Sequence, residues 1–268
     1  MGYRIKIYRL GDSIEYEISY VGNYGAKGEK RAPRRKATPE QIRRQNQINR
    51  ENLMRRLIKL NFSPGDPWVA LQYPEGSRPQ MEQVEKDWRS FVTAVRKRYK
   101  KAGEQFKYVY RLEVGAHGGI HLHILFNRIQ GEPDVMKMIK ECWRPNRYDM
   151  TGIYEYGGYD KLAKYIVKHP DDEVYEQLSL FDEDEQKKML RYSCSRNLER
   201  PVPEIKEYRR RTLRKVINNG PKATPGYYVD KSSIRYGVNP YSGKSYYKYT
   251  EYRTGYRDRA EGYINDTC

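Results

Sequence analysis

Residues 108–126 read Tyr108-Val-Tyr-Arg-Leu-Glu-Val114, then Gly115-Ala-His-Gly-Gly119, then Ile120-His-Leu-His-Ile-Leu-Phe126. The outer stretches are rich in β-branched and aromatic residues, and the glycine-rich link is short enough for a hairpin turn. Side chains alternate across a strand, so His121 and His123 share one face while Leu122 lies on the other. The apolar residues around them describe a mostly buried strand. A rise near 3.3 Å per residue places the two imidazoles about 7 Å apart at their Cα atoms, close enough to converge on one divalent cation. If Val114 pairs with Ile120, Glu113 lies beside His121 and can supply a carboxylate as third ligand. His117 is a rival donor, expected at the hairpin tip facing solvent or DNA.

Working outward, the periodicity predicts a strand at Trp68–Tyr73, a helix over about 80–101, the hairpin strands, a helix at 133–142 and a strand near Gly152–Tyr156. This β-α-β-β-α-β series predicts an α+β fold: a ferredoxin-like, RRM-like split-βαβ palm, with an antiparallel sheet and helices on one face. A helix follows from Asp160 to His169, stopped by Pro170. Ala163, Ile166 and Val167 form its apolar side, flanked by Leu162. Tyr165 falls on the opposite, basic side with Lys161, Lys168 and His169, and Lys164 adds a further cation. A tyrosine kept for packing belongs with Ile166 and Val167; this one is placed to meet a phosphate.

Before the palm, Arg4–Leu10 and Glu15–Val21 read as short strands, followed by a basic, glycine-rich loop over 25–36. Thr38-Pro-Glu-Gln41 is a capping box with Pro at the first helical position. The helix it starts runs to about Leu60, and Ile42, Ile48, Leu53, Leu57 and Ile58 mark its expected buried stripe. After the palm, residues 204–219 read as a basic helix ended by Gly220-Pro221, with Arg209, Arg210 and Arg211 as candidate DNA contacts. The tyrosine-rich stretch 227–256 closes the chain. Three segments result: 1–62 with strands, loop and helix, 63–200 with the palm and its following helix, and 201–268 with the basic helix and tyrosine-rich appendage.

The chain has 268 residues, with 52 Lys and Arg against 35 Asp and Glu, a net charge of +17. A surplus of that size favours a polyanionic partner. No apolar run reaches membrane-spanning length, and no apolar signal segment follows Met1, so a cytoplasmic protein is expected. Cys142, Cys194 and Cys268 are widely spaced, which suits a reducing compartment and argues against structural zinc. No phosphate-binding Gly-x-x-x-x-Gly-Lys-Ser/Thr loop occurs, so the chain is not expected to be an ATPase. Tyrosine is over-represented, with 27 Tyr against 5 Phe. The rings either build a tyrosine-rich core or offer stacking faces to bases.

His-hydrophobic-His preceded by a carboxylate and followed by Tyr165-Ile-Val-Lys168 resembles the HUH endonuclease superfamily, and within it the rolling-circle replication initiators of phages and plasmids. The resemblance covers roughly residues 66–200. By position, His121, His123 and Glu113 match the metal ligands, Tyr165 the nucleophile and Lys168 the lysine one turn later. The tyrosine follows the histidines, as in replication initiators and single-tyrosine transposases and unlike conjugative relaxases. Lys161 stands where some phage initiators carry a second tyrosine, so the chain resembles the single-tyrosine kind. Arg191-Tyr-Ser-Cys-Ser-Arg-Asn-Leu198 is similar, more loosely, to a stretch of phage-type initiators.

The resemblance implies a metal-dependent nuclease. A divalent cation, Mg²⁺ or Mn²⁺, would act as Lewis acid and template, and Tyr165 would attack DNA to leave a 5′-phosphotyrosine and a free 3′-hydroxyl. The expected partners are single-stranded or hairpin origin DNA and a separate host helicase, with no membrane. Gln177-Leu-Ser-Leu-Phe181 resembles the pentapeptide by which bacterial replication proteins bind the sliding clamp; clamp pull-down would be lost on replacing Leu180 and Phe181 with Ala. Two other readings stand beside this one: a transposase of the same chemistry, and a non-catalytic nucleic-acid-binding module, which aromatic platforms on the central strands would favour.

Overall fold

The computed structural model describes residues 2–22, 35–77, 79–115, 119–129, 134–145, 147–153, 159–168, 182–184, 186, 191–209 and 213–255. These form two compact units. One draws on the described residues within Asn61–Glu155 and Tyr159–Glu199, the other on those within Met1–Leu60 and Arg200–Cys268.

The first unit contains β3 (Pro67–Gln72), α2 (Met81–Lys101), β4 (Tyr108–Val114), β5 (Ile120–Phe126), α3 (Val135–Cys142), β6 (Arg147–Gly152), α4 (Asp160–Val167) and β7 (Tyr192–Cys194). The sheet order is β6-β3-β5-β4-β7, with every neighbouring pair antiparallel. Setting β7 aside, this is the α+β split-βαβ order expected. The register pairs Val114 with Ile120 and Glu113 with His121, and the turn closes with Gly115 N–H donating to the Gly119 carbonyl at 2.8 Å.

Period-2 burial explains why the sheet forms. Val69, Leu71, Leu112, Val114, Ile120, Leu122, Ile124 and Phe126 project to one face and pack on Val84, Phe91 and Val95 of α2 and Ile139 of α3. Each such side chain contributes about 1.5–3 kcal/mol by leaving water. Helix α3 starts with Asp134 accepting from Lys137 N–H at 2.7 Å, an N-cap that satisfies a donor the helix cannot. The sixth strand lies at Arg147–Gly152, ahead of the position near Gly152–Tyr156 expected from sequence. It is a polar edge strand whose residues alternate exposed and half-buried, so its own apolar pattern was too weak to locate it.

The segment 191–198 has a structural role. β7 extends the sheet beyond β4, the Ser195 hydroxyl accepts from Tyr108 N–H at 3.0 Å, and Asn197 donates to the Phe106 carbonyl at 3.2 Å.

The second unit is built on a sheet of order β8-β1-β2-β10-β9. Its strands are β1 (Tyr3–Leu10), β2 (Ser13–Tyr20), β8 (Glu204–Tyr208), β9 (Tyr227–Asn239) and β10 (Lys244–Arg253). The tyrosine-rich stretch is therefore a long hairpin paired with the N-terminal strands. Much of its tyrosine is core: Tyr247 is 1% exposed and Tyr249 9%. Residues 204–219 are not one helix. Glu204–Tyr208 pairs with β1, and among the described residues of this stretch the helix is Arg214–Asn219, here α5. Edge pairing satisfies the Glu204–Tyr208 backbone where the charged pattern alone had suggested a solvated helix.

Helix α1 (Pro39–Asn61) begins with the expected capping box: Thr38 N–H donates to Gln41 Oε1 at 3.0 Å and Gln41 N–H to Thr38 Oγ1 at 3.2 Å. Its buried stripe is shorter than expected. Leu57 and Ile58 are buried, while Ile42, Ile48 and Leu53 are 50%, 41% and 51% exposed. Tertiary contact, not periodicity, decides how much of an amphipathic face is covered. Arg55, Arg56 and Lys59 of α1 surround the buried Glu15 carboxylate of β2 at 2.6, 2.8 and 3.1 Å.

Candidate active site

The face of the first sheet opposite α2 and α3 carries a grid of side chains set by the antiparallel register. One row is Gln72, His121 and Glu113; the next is Ala70, His123 and Arg111; the third is Trp68, Leu125 and Val109. Helix α4 lies on this face. Ala163, Ile166 and Val167 are buried as the periodicity required, and Tyr165 is half-buried over the second row.

The Tyr165 hydroxyl donates a short hydrogen bond to Glu113 Oε2 and lies 3.1 Å from His123 Nε2. His123 Nε2 is itself 3.1 Å from the same carboxylate oxygen. Lys168 Nζ lies 2.8 Å from Glu113 Oε1 and 4.8 Å from the centre of the Tyr165 ring. Three of the other four sequence-predicted residues thus converge on the Glu113 carboxylate. His121 lies on the same face, its ring centre 6.2 Å from that of His123, and points toward the turn glycines.

Electrostatics follow from this packing. Burial opposes the Glu113 charge, but hydrogen bonds from His123, Lys168 and Tyr165 outweigh it and hold its carboxyl well below the usual carboxylate range. Burial, then the hydrogen bond to Glu113, pushes the Tyr165 phenol above its ordinary value. Burial and the neighbouring His123 push His121 down, favouring the neutral imidazole that binds metals. The arrangement therefore stores Tyr165 as a protonated phenol.

The donor types suit a divalent cation. The 3.1 Å between His123 Nε2 and Glu113 Oε2 is the separation of an ordinary hydrogen bond. His123 Nδ1 is buried without a hydrogen-bond partner, so nothing else in the described residues fixes the imidazole through that atom. Among the described residues, no three His, Cys, Asp or Glu side chains surround a common point; the His121 ring lies against Gly115 and Gly119, its centre 6.2 Å from that of His123.

Two contributors were not read from sequence. Arg111 is 3% exposed, and its Nη1 donates to the carbonyls of Tyr165, Ile166 and Lys168 at 3.2, 3.1 and 2.7 Å. These belong to the last turn of α4, where the regular helical ladder ends; the Tyr165 carbonyl also accepts from Lys168 N–H at 3.4 Å. Trp68 stacks on His123 with ring centres 5.6 Å apart and meets Tyr165 edge-on at 5.9 Å. The alternation of β4 could have put Arg111 on the Glu113 face, but only the β3–β5 register brings Trp68 there. At the other end of α4, Tyr159 takes a left-handed φ of 53°, the single described non-glycine residue with positive φ; such a conformation persists only where packing imposes it.

Lys161 and Lys164 are exposed on α4, and Arg209 follows β8 in the other unit. His117, His169, Arg210, Arg211 and Gln177, Leu178, Ser179, Leu180 and Phe181 lie outside the described residues. No helix among the described residues is long and apolar enough to cross a membrane.

No curated protein and no solved structure matches the chain. A protein family does. Residues 66–170, under half of the chain, span β3 to the end of α4 and contain Glu113, His121, His123, Tyr165 and Lys168; over this span the chain matches the family described as replication-associated protein ORF2/G2P.

Proposed function

We propose that the chain is a single-tyrosine DNA nicking and rejoining enzyme of the HUH type that initiates rolling-circle replication of a mobile element. The observation that carries this reading is the convergence of Tyr165 with Glu113, His123 and Lys168 on the open face of the sheet. The similarity of residues 66–170 to a replication-associated family supports the same biological setting.

Tyr165 Oη attacks a DNA phosphorus in line with the 3′-oxygen. The Tyr–O–P bond forms, the P–O3′ bond breaks, the phenol yields its proton and the departing 3′-oxygen takes one up. Phosphodiester energy is kept in the phosphotyrosine, so a later 3′-hydroxyl reverses the step without ATP. A neutral phenol is a weak nucleophile, and the Glu113 contact keeps Tyr165 neutral. Lys168, with Nζ 2.8 Å from Glu113 Oε1 and 4.8 Å from the Tyr165 ring centre, is the charge beside the ring able to stabilise a phenolate. Glu113, His121 and His123 would hold a divalent cation, Mg²⁺ or Mn²⁺, which supplies Lewis-acid neutralisation of the phosphate. Trp68 holds the His123 ring, and Arg111 holds the end of α4 that presents Tyr165. Single-stranded or hairpin origin DNA is the substrate in this reading, a separate helicase unwinds it, and the Gln177–Phe181 segment is the clamp contact.

The test is a covalent-adduct assay on a denaturing gel. The chain, mixed with labelled single-stranded DNA of its own replicon and Mn²⁺, should give a shifted band. Tyr165→Phe should remove it, lowering the rate by at least about 10³-fold, as loss of a nucleophile does. An adduct that survives in Tyr165→Phe would assign the nucleophile elsewhere, and no adduct at all would end the enzymatic reading.

A further inference from the structure

The buried residues of α1 begin at Met54. Before them, residues 39–50 are exposed along their length, with Gln47 alone half-buried. A polar helix without tertiary contacts is marginal by itself. Here the capping box fixes its start, and Gln45 Nε2 donates to Asn49 Oδ1 at 3.0 Å and Gln47 Nε2 to Glu51 Oε1 at 3.1 Å, each one turn on. The buried last turns anchor its other end. We propose that this projecting half of α1 recognises double-stranded DNA by lying in the major groove, with Asn46 and Asn49 toward the base edges and Arg43 and Arg44 on the phosphates. The proposal rests on DNA being the substrate and is independent of the nicking chemistry.

Size, side chains and charge all fit a duplex. Residues 39–50 extend roughly 18 Å, and a helix with its side chains is about 10–12 Å across, against a major groove about 12 Å wide. At about 100° per residue, Ile42, Gln45 and Asn49 fall on the side away from Gln47, Glu51 and Met54, with Asn46 beside them. Asn and Gln pair bidentately with adenine, and an exposed aliphatic chain such as Ile42, 50% exposed, meets the thymine methyl. The bond from Gln45 uses the Asn49 acceptor and leaves its amide protons for a base. Asn46 has no hydrogen-bond partner among the described residues. Arg35, Lys36, Arg43 and Arg44 are exposed and have no ion-pair partner among the described residues, and the one carboxylate between positions 35 and 50 is Glu40. Cations so placed are available to phosphates.

The same segment argues against other occupants. Single strands are held by stacking on aromatic rings, and α1 contains no Phe, Tyr or Trp. A second copy of the helix would need an apolar seam. Asn46 and Asn49 interrupt the run from Ile42 to Leu53 on that side, and the surplus of arginine repels a like helix.

Fluorescence anisotropy of the full chain in chelator-containing buffer tests this, with labelled duplexes tiling the DNA of its own replicon, a scrambled duplex and a single strand. The parent should prefer one tile over the scrambled duplex by at least about tenfold. Asn46→Ala with Asn49→Ala should weaken binding to that tile about 5- to 150-fold and leave the scrambled duplex and the single strand unchanged. Arg43→Ala with Arg44→Ala should weaken every duplex and reduce the log–log salt slope by about 2, with single-strand affinity kept. All four positions are exposed, so both variants should unfold at the parent's denaturant midpoint. No preferred tile, parental duplex binding in both variants, or equal losses for duplex and single strand overturns the proposal. So does a parent dimer that Ile42→Asp splits with duplex binding intact, which assigns the face to a second copy. An adduct-forming parent with any of those results retains the nicking reading while losing the groove contact; duplex binding through α1 without an adduct does the reverse.

Discussion

Arg111 shows how one buried side chain can fix the end of a helix. Its Nη1 serves three carbonyls at the end of α4, and burial lowers its guanidinium affinity for protons without discharging it. Arg111→Met removes the donor these carbonyls share and should cost about 2–4 kcal/mol of stability, read by denaturant melts. The adduct rate should fall further than Tyr165 burial alone explains, because α4 loses the contact that fixes its end. A variant with parental stability and parental adduct rate would remove Arg111 from the positioning of Tyr165. Glu113 is the complementary case: one carboxylate takes hydrogen bonds from Tyr165, His123 and Lys168. That role was invisible in the sequence, which placed Glu113 beside His121 through hairpin register alone.

At the scale of elements, α1 separates pattern from packing. Leu57 is 3% exposed and Ile42 is 50% exposed, although both fall on the same predicted stripe. Leu57→Ala should destabilise the chain by about 2–4 kcal/mol, whereas Ile42→Gln should change stability by less than about 0.5 kcal/mol, as measured by chemical denaturation. The same helix supplies an acid-sensitive contact. Burial opposes the Glu15 charge, but Lys59, Arg55 and Arg56 pull its pKa down to about 2. A carboxylate depressed in the folded state contributes stability above its unfolded value and loses it as pH falls. The loss should run from about pH 4.5 to about pH 2 and amount to roughly 3 kcal/mol. Glu15→Gln should flatten that part of the curve, and an unchanged acid limb would place the sensitivity elsewhere.

For the whole molecule, charge and topology set the behaviour. The net charge of +17 predicts DNA affinity that falls steeply with salt. If three phosphates are engaged, the slope for single strands is about −2 in log–log form, a loss of more than tenfold between about 50 and 200 mM. A salt-independent affinity would show that the cations do not face the strand. The chain also joins distant segments: β8, β9 and β10 complete a sheet begun by β1 and β2. Those pairings span nearly the full length of the chain, which makes them slow to form and dependent on an intact C-terminal hairpin.

Local rules determined much of this protein. Period-2 alternation put His121 and His123 on one face, the glycine-rich turn set Glu113 beside His121, helical periodicity turned Tyr165 away from Ile166 and Val167, and the capping box started α1. All of these depend on neighbours within a turn or a hairpin, where backbone geometry alone decides the outcome. The tertiary structure decided the rest: Trp68 on His123, Arg111 under the end of α4, Glu204–Tyr208 as a strand, and the terminal hairpin in the N-terminal sheet. Each is a pairing between residues remote in sequence, set by which edge or face remains open after the local elements form, and no local pattern carries that information.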